Sequence, residues 1–350
     1  MPPFEAITTE RLLLRPVGPA DAEFLHARRN DPAAAELQAW ELPYPLKKAE
    51  QLLEANARLG GPTNDEWYMI GIDAGGEPIG DLAVHLTWQG RSAEIGYTLA
   101  SKHWGSGYAV EAVAALVEYL FDTLEVTRIS AMLHPDNVAS AQVLERTGFL
   151  FEGHTRSSYW VNDEVSDDFI YGMIRADWEA WRQRPAGPPE DVRLVELDTT
   201  NDRRAWRLQT HKSQERFVAP MPVSFADALF PEVIDGAPVA PWMRGIEADG
   251  EIVGFAMLAL TTPHHPEPYL WRLLIDRLHQ RRGIATRALA LIAGECRAMG
   301  DETLLTSWEP GRGSPEPFYL SRGFAPTGRI VDGEIEGRLN LARFPGSEVG

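Results

Sequence analysis

Along this chain apolar residues gather in short alternating or continuous runs punctuated by glycine-containing turns, and the series occurs twice in the same order. Arg11-Leu12-Leu13-Leu14-Arg15 and Val192-Arg193-Leu194-Val195-Glu196-Leu197 predict an opening strand in each half, and helical stretches follow. Ile72-Asp73-Ala74-Gly75-Gly76-Glu77-Pro78-Ile79-Gly80 and Ile246-Glu247-Ala248-Asp249-Gly250-Glu251-Ile252-Val253-Gly254 read as one hairpin used twice, since Gly-Gly and Asp-Gly supply the positive φ of tight turns. The strands at 94–99 and 269–275 each run into a glycine turn and a long apolar-periodic helix. A short strand, 128–132 or 303–306, and a short helix ending at Gly148-Phe149 or Gly323-Phe324 complete each series. The distances from Gly80 to Gly254, Gly107 to Gly283 and Gly148 to Gly323 are 174, 176 and 175 residues, so the landmarks drift by at most two positions. That constancy implies a duplicated domain.

Length agrees, because 350 residues suit two domains of roughly 170 residues better than one. Three prolines and a glycine in Arg184-Pro185-Ala186-Gly187-Pro188-Pro189-Glu190 cannot continue a helix or a central strand. The expected division is therefore 1–184, a linker at 185–190, and 191–350. Net charge is −18; residues 1–186 hold 28 acids against 15 bases and residues 187–350 hold 23 against 18. Both halves repel phosphate backbones, which argues against nucleic acid as a partner and suits a cationic acceptor, although acidity alone also keeps a surface soluble. No apolar stretch reaches the roughly 20 residues that span a bilayer, so no membrane partner is expected. The start, Met1-Pro2-Pro3-Phe4-Glu5, lacks the basic and apolar regions of a signal peptide, and a cytoplasmic location is the expectation. Cys296, the single cysteine, reads as a helix-packing residue.

The turns Trp104-Gly105-Ser106-Gly107-Tyr108-Ala109 and Gln280-Arg281-Arg282-Gly283-Ile284-Ala285 place backbone N–H groups at the positive end of a helix dipole. Glycine lets a phosphate approach where a Cβ would block it, and the small Ala109 and Ala285 extend that closeness by a step. A Gly-x-Ala turn alone is a weak signal. An ordinary helix start is the alternative, and recurrence 41 and 40 residues before the Gly-Phe pair favours a pyrophosphate site over it.

With its downstream Gly-Phe, this loop resembles that of the GNAT acyltransferases, Gln/Arg-x-x-Gly-x-Gly/Ala; Gln280 to Ala285 match at every fixed position, whereas Trp104 replaces the Gln/Arg. Trp104 to Ala112, Glu94-Ile95-Gly96-Tyr97 and His134-Pro135-Asp136-Asn137-Val138-Ala139-Ser140 resemble the ribosomal-protein alanine acetyltransferases over roughly residues 8–178. Phe217-Val218-Ala219-Pro220, Trp271 to Asp276, and Gly323 to Gly328 with Asp332 to Ile335 resemble the bacterial spermine and spermidine acetyltransferases over about residues 191–342. The resemblance implies an α+β fold in tandem, each copy a mostly antiparallel sheet flanked by helices and splayed between strands 93–99 and 128–132, or 269–276 and 303–307. The parted strands would hold the pantetheine arm of acetyl-CoA or another acyl-CoA. Thr98, Leu99, Leu274, Ile275 and Asn137 are the expected cofactor contacts beside the two loops.

Acyl transfer to an amine requires removal of a proton from an ammonium and delivery of one to a thiolate. Glu94 is the candidate base of the first half, or else a surface strand residue. Tyr319, four residues before Gly323, stands where the family commonly places its acid tyrosine, with a packing aromatic as the alternative. The first half has Leu144 there, and Ser140, in an Asn-x-x-Ser pattern with Asn137, is its expected proton donor; Asn137 is also a good helix cap. The second half reads Pro310-Gly311-Arg312-Gly313-Ser314-Pro315 where relatives carry Asn. His264 and His265 read as a solvated loop rather than a metal pair. Strand alternation at Trp271 and Arg272 predicts one facing the core and one the groove. The leading expectation is acyl transfer from coenzyme A to a small-molecule primary amine. An acyl carrier protein as donor, a protein N-terminus as acceptor, and a non-catalytic acyl-CoA sensor are the alternatives.

Overall fold

A computed structural model describes residues 3–38, 40–161, 164–234 and 236–344; Met1 and Pro2 of the leader argument lie outside them. The chain divides into two compact units, Met1–Gln183 and Arg184–Gly350.

In the first unit the order is β1 (Ile7–Thr8), β2 (Leu12–Pro16), α1 (Ala22–Arg29), α2 (Pro32–Ala35), α3 (Leu46–Leu59), β3 (Trp67–Ala74), β4 (Glu77–Thr87), β5 (Ser92–Leu99), α4 (Tyr108–Glu118), β6 (Arg128–Leu133), α5 (Val138–Thr147), β7 (Leu150–Val161), β8 (Glu164–Ile174) and α6 (Arg175–Gln183). The eight strands stand in the order β1-β2-β3-β4-β5-β6-β8-β7. All pairs are antiparallel except β5 with β6, which pair in parallel only from Ser92–Arg128 to Glu94–Ser130 and then part. One apolar stripe of α4, Ala112, Val113, Leu116 and Val117, is buried in the core with Leu14, Ile70, Val84, Ile129 and Phe149.

The second unit runs β9 (Val192–Val195), α7 (Asp202–Trp206), α8 (Met221–Leu229), β10 (Val233–Ile234), β11 (Ala237–Pro238), β12 (Ala240–Ala248), β13 (Glu251–Leu260), β14 (Tyr269–Ile275), α9 (Ile284–Met299), β15 (Thr303–Trp308), α10 (Glu316–Ser321), β16 (Ala325–Val331) and β17 (Glu334–Asn340). Its main sheet has the order β16-β17-β15-β14-β13-β12-β9. The single parallel pair, β14 with β15, spans only Tyr269–Leu305 and Leu270–Thr306 before it opens. Cys296 is buried in α9 among core residues, and burial pushes its thiol up to about 12, as a packing cysteine requires.

The repeated glycine of the hairpin has a steric cause. A Cβ at Gly80 would lie 2.4 Å from the carbonyl oxygen of Thr98, and one at Gly254 would lie 2.6 Å from that of Leu274. Both glycines follow a bulge in the hairpin and let the strand press against the end of its neighbour.

The Pro-rich segment is strapped to the second unit. Arg282 Nε donates to the carbonyl oxygen of Gly187 at 2.7 Å, and Arg287 donates to those of Pro189 (2.6 Å) and Glu190 (2.9 Å). Prolines leave carbonyls without their own N–H partners, and two arginines on either side of the loop satisfy them.

Candidate active sites

In both units the turn before the long helix is built alike. Gly107 and Gly283 cap α4 and α9 in the left-handed region, φ 81° and 77°. Open space stands where a Cβ of Gly283 would sit. The first N–H groups of each helix are without intrahelical partners there, so the loops fit a pyrophosphate.

The loops are braced differently. Gln280 Nε2 donates to the carbonyl oxygen of Ile275 at 3.0 Å and to Gln214 Oε1 at 2.8 Å, which ties the end of β14 to the turn. In the first unit the Trp104 indole N–H donates to the carbonyl oxygen of Leu99 at 3.0 Å. Arg11 adds a bond to the Ser106 carbonyl oxygen at 2.9 Å and an ion pair with Glu111 of α4 at 2.7 Å. Arg281, Ile284 and Ala285 line a cavity with Gln280 and Gly283. Arg282 instead points inward, buried on Gly187 and on His279 Nδ1 at 3.0 Å, so only its backbone serves the loop.

The second unit's cavity, about 730 Å³, extends from that loop past Leu274 and Ile275 to Tyr319 at the splay. Tyr319 is buried, stacks on Trp308 with centroids 5.6 Å apart, and its phenol is pushed up to about 12 by burial. Ahead of α10 the Ser314 hydroxyl accepts from the Glu316 N–H at 3.1 Å and donates to the Glu309 carbonyl oxygen at 2.7 Å. An adjoining cavity of about 690 Å³ shares Tyr269, Trp271, Arg272, Ser307 and Glu334 and is rimmed by Asp227, Glu232, Glu267 and Asp332. Glu334, not singled out by its position in the sequence, faces both spaces and accepts from the Ser307 hydroxyl.

Trp271 and Arg272 do not alternate as predicted; both line the cavity. The pairing of β13 with β14 jumps from Met257–Arg272 to Leu258–Leu270, so Trp271 is the extra residue of a bulge that re-aims the side chains. His265 Nδ1 donates to the Leu260 carbonyl oxygen at 3.3 Å, and no cluster of metal-ligating side chains occurs among the described residues.

The first unit's cavity, about 700 Å³, collects Glu94, Tyr97, Thr98, Asn137, Ser140 and Leu144. Glu94 stands at the last paired position before β5 and β6 separate, opposite His85 on β4. Burial raises its carboxyl pKa, His85 opposes the rise and Asp168 adds to it. Asn137 Oδ1 accepts from Ser140 N–H at 3.1 Å, the expected cap, and Asn137 Nδ2 has no partner among the described residues. The Ser140 hydroxyl donates to the Tyr97 hydroxyl oxygen at 2.8 Å, and the Tyr97 hydroxyl donates to the Ser140 carbonyl oxygen at 2.8 Å. Tyr97 had only its place in a strand motif to mark it. At the far side of the cavity Arg28, buried and paired with Asp81, is joined by Arg29 and Lys48. Arg29 lies over the rings of Tyr44 and Trp40, 4.6 and 5.0 Å from their centroids.

Comparison with known proteins agrees with this architecture. Residues 11–150 match the model of an acetyltransferase (GNAT) domain, and residues 205–324 match that of the acetyltransferase (GNAT) family. An uncharacterised N-acetyltransferase of Bacillus subtilis, YoaA, is 30% identical over 173 residues, 49% of this chain and 98% of that protein. The ribosomal-protein-serine acetyltransferase of Escherichia coli is 34% identical over 84 residues, 24% of this chain and 47% of that protein. Among solved structures, RimL, a ribosomal L7/L12 alpha-N-protein acetyltransferase in complex with coenzyme A, is similar at 22% identity and a TM-score of 0.44, over 49% of this chain and 98% of its own. These matches reach the family in both halves without distinguishing a polyamine branch in the second.

Proposed function

The chain belongs to the GNAT acetyltransferases, with a family domain in each unit, and from that premise we propose that it moves an acetyl or other short acyl group from coenzyme A to a primary amine on a small molecule. The observation that carries this reading is the coincidence of the open loop, the splay and a roomy cavity in the second unit, with Tyr319 at the splay. Bound acetyl-CoA supplies an activated thioester carbonyl. The loop N–H groups of 105–109 and 281–285 would hold its pyrophosphate, and the unpaired backbone groups of β5 and β14 would hold its arm. An intact loop in the second unit favours coenzyme A over a carrier protein as donor.

Glu94 takes the amine proton in the first unit, since a carboxylate with a raised pKa lies closer to the working range of a general base. Glu334 is placed for that task in the second. The acceptor ends differ in charge: Glu232, Asp332 and Glu334 remain on the second rim beside the Asp227–Arg272 and Glu267–Arg338 ion pairs, which suits a cationic amine, whereas Arg29 and Lys48 oppose Glu94 in the first, where Arg28 is paired with Asp81, which suits an amine that also bears an anionic group.

One observation favours a second reading for the first unit, transfer to the N-terminus of a protein. Tyr159 lines the cavity, and its neighbours Trp160 and Val165 are exposed on the β7–β8 hairpin, a surface that a peptide could cover. Thiol release by the full chain with acetyl-CoA separates the readings on a panel of polyamines, amino acids and N-terminal peptides. Turnover confined to peptides, or bound coenzyme A with no release on any amine, would overturn the small-molecule proposal.

A further inference from the structure

The two cavities carry their tyrosine on opposite walls. Tyr97 of β5 pairs with Leu82 of β4, and the matching pair in the second unit, 174 residues on along β13, is Ala256 with Leu273. On the facing helix Leu144 of α5 corresponds to Tyr319 of α10, at the 175-residue spacing of the Gly-Phe pair. Tyrosine on the strand with leucine on the helix has become leucine on the strand with tyrosine on the helix, and all four line their cavities. Ser140 reaches Tyr97 from the helix, whereas in the second unit the Thr306 hydroxyl on β15 donates to the Leu270 carbonyl oxygen at 3.0 Å.

We propose that Tyr97 donates the proton taken up by the leaving thiol sulfur in the first unit, with Ser140 as its positioning residue. The inference rests on the acyl-transfer reading above. The Ser140 hydroxyl points at the phenol oxygen at 2.8 Å, where it favours the phenolate, while the phenol proton rests on the Ser140 carbonyl oxygen at 2.8 Å and leaves that acceptor to reach sulfur. A phenol, ordinarily near pKa ~10, is also the better match to a thiol near ~8.5 than an aliphatic alcohol is. Glu145 of α5, buried and accepting from the Tyr171 hydroxyl at 3.0 Å, is the carboxylate facing Tyr97, and with burial it keeps the proton on the phenol at rest.

The neutral acceptor amine bonds through nitrogen to the thioester carbon, and Tyr97 gives its O–H proton to sulfur as the carbon–sulfur bond breaks and the bonding pair goes to sulfur. The O–H pair stays on Tyr97 as a phenolate held by Ser140. The proton that Glu94 takes from the acceptor amine returns to Tyr97 through solvent, so the cycle is balanced.

The test uses the full chain with the second loop disabled by Gly283→Val. Tyr97→Phe should lower kcat about 100-fold, within the range of general acid catalysis, with little change in KM for acetyl-CoA. Tyr97→Leu combined with Leu144→Tyr, which rebuilds the second unit's arrangement, should recover at least about tenfold over Tyr97→Leu alone. A readout free of turnover is the 13Cζ signal of labelled tyrosine, assigned by its loss in Tyr97→Phe. It should titrate above the other tyrosines and move higher still in Ser140→Ala, where donation to the phenolate is lost. An unchanged kcat in Tyr97→Phe overturns the acid assignment. A Cζ titration indifferent to Ser140→Ala overturns the hydroxyl pairing, whether or not any acceptor is acetylated.

Discussion

The Trp104 indole N–H and the Gln280 side-chain amide make the same bond: each donates at 3.0 Å to the carbonyl oxygen five residues before it, on Leu99 and on Ile275. Both bonds fold the end of a splayed strand back onto the glycine turn. The substitution of tryptophan for the family's Gln/Arg therefore preserves a donor while changing everything else about the side chain.

Trp104→Phe keeps an aromatic ring and removes the donor, so first-unit affinity for coenzyme A should fall about fivefold, the worth of a hydrogen bond of about 1 kcal/mol. Trp104→Gln should hold its affinity close to wild type. Calorimetry in the Gly283→Val background reads both, and a glutamine variant no better than phenylalanine would contradict the equivalence.

The wild-type chain should bind coenzyme A at two sites of unequal affinity. Valine at φ 77° or 81° costs roughly 1–2 kcal/mol in backbone strain and sets a side chain before the loop N–H groups, so Gly107→Val and Gly283→Val should each remove one site. Binding stoichiometry checks this, and a single variant that abolishes both sites would refute independent loops.

Tyr319→Phe should reduce second-unit kcat about 100-fold while leaving coenzyme A binding intact. With the phenol pushed up to about 12, the wild-type rate should show no alkaline fall from this group across the neutral and mildly basic range. Steady-state rates on a polyamine, with Gly107→Val silencing the first unit, decide the matter.

Glu94→Gln should lower first-unit turnover and raise thermal stability together. A carboxyl whose folded pKa is raised binds its proton more tightly in the folded state, so its contribution to stability is present below the unfolded pKa and is lost as pH rises through the folded one. Glutamine removes that loss, so melting temperature should increase at neutral pH and change little in acid. Turnover should also lose the acidic limb that begins above the ordinary glutamate range. Melting and rate profiles across pH test both signs.

Much of this was legible in the residues. Fixed spacings among Gly80, Gly107 and Gly148 and their counterparts identified a duplicated domain, because glycines answer to local constraints: a positive φ at 107 and 283, a backbone contact at 80 and 254. The same local logic brought out the loop, the Asn137 cap and the buried Cys296. Trp271 and Arg272 escaped it because a bulge breaks the period of two on which alternation depends.

The sequence by itself therefore determined the repeat, the strand order along the chain and the two glycine turns that open α4 and α9, since each is written in neighbouring residues. Tertiary structure alone decided which side chains share a cavity. Tyr97 meets Ser140 across 43 positions, Arg282 turns away to Gly187, and Glu334 reaches Ser307 from a distant hairpin. These contacts arise where a strand pair opens and a helix packs over the gap, and that juxtaposition depends on the whole sheet rather than on any local run of residues.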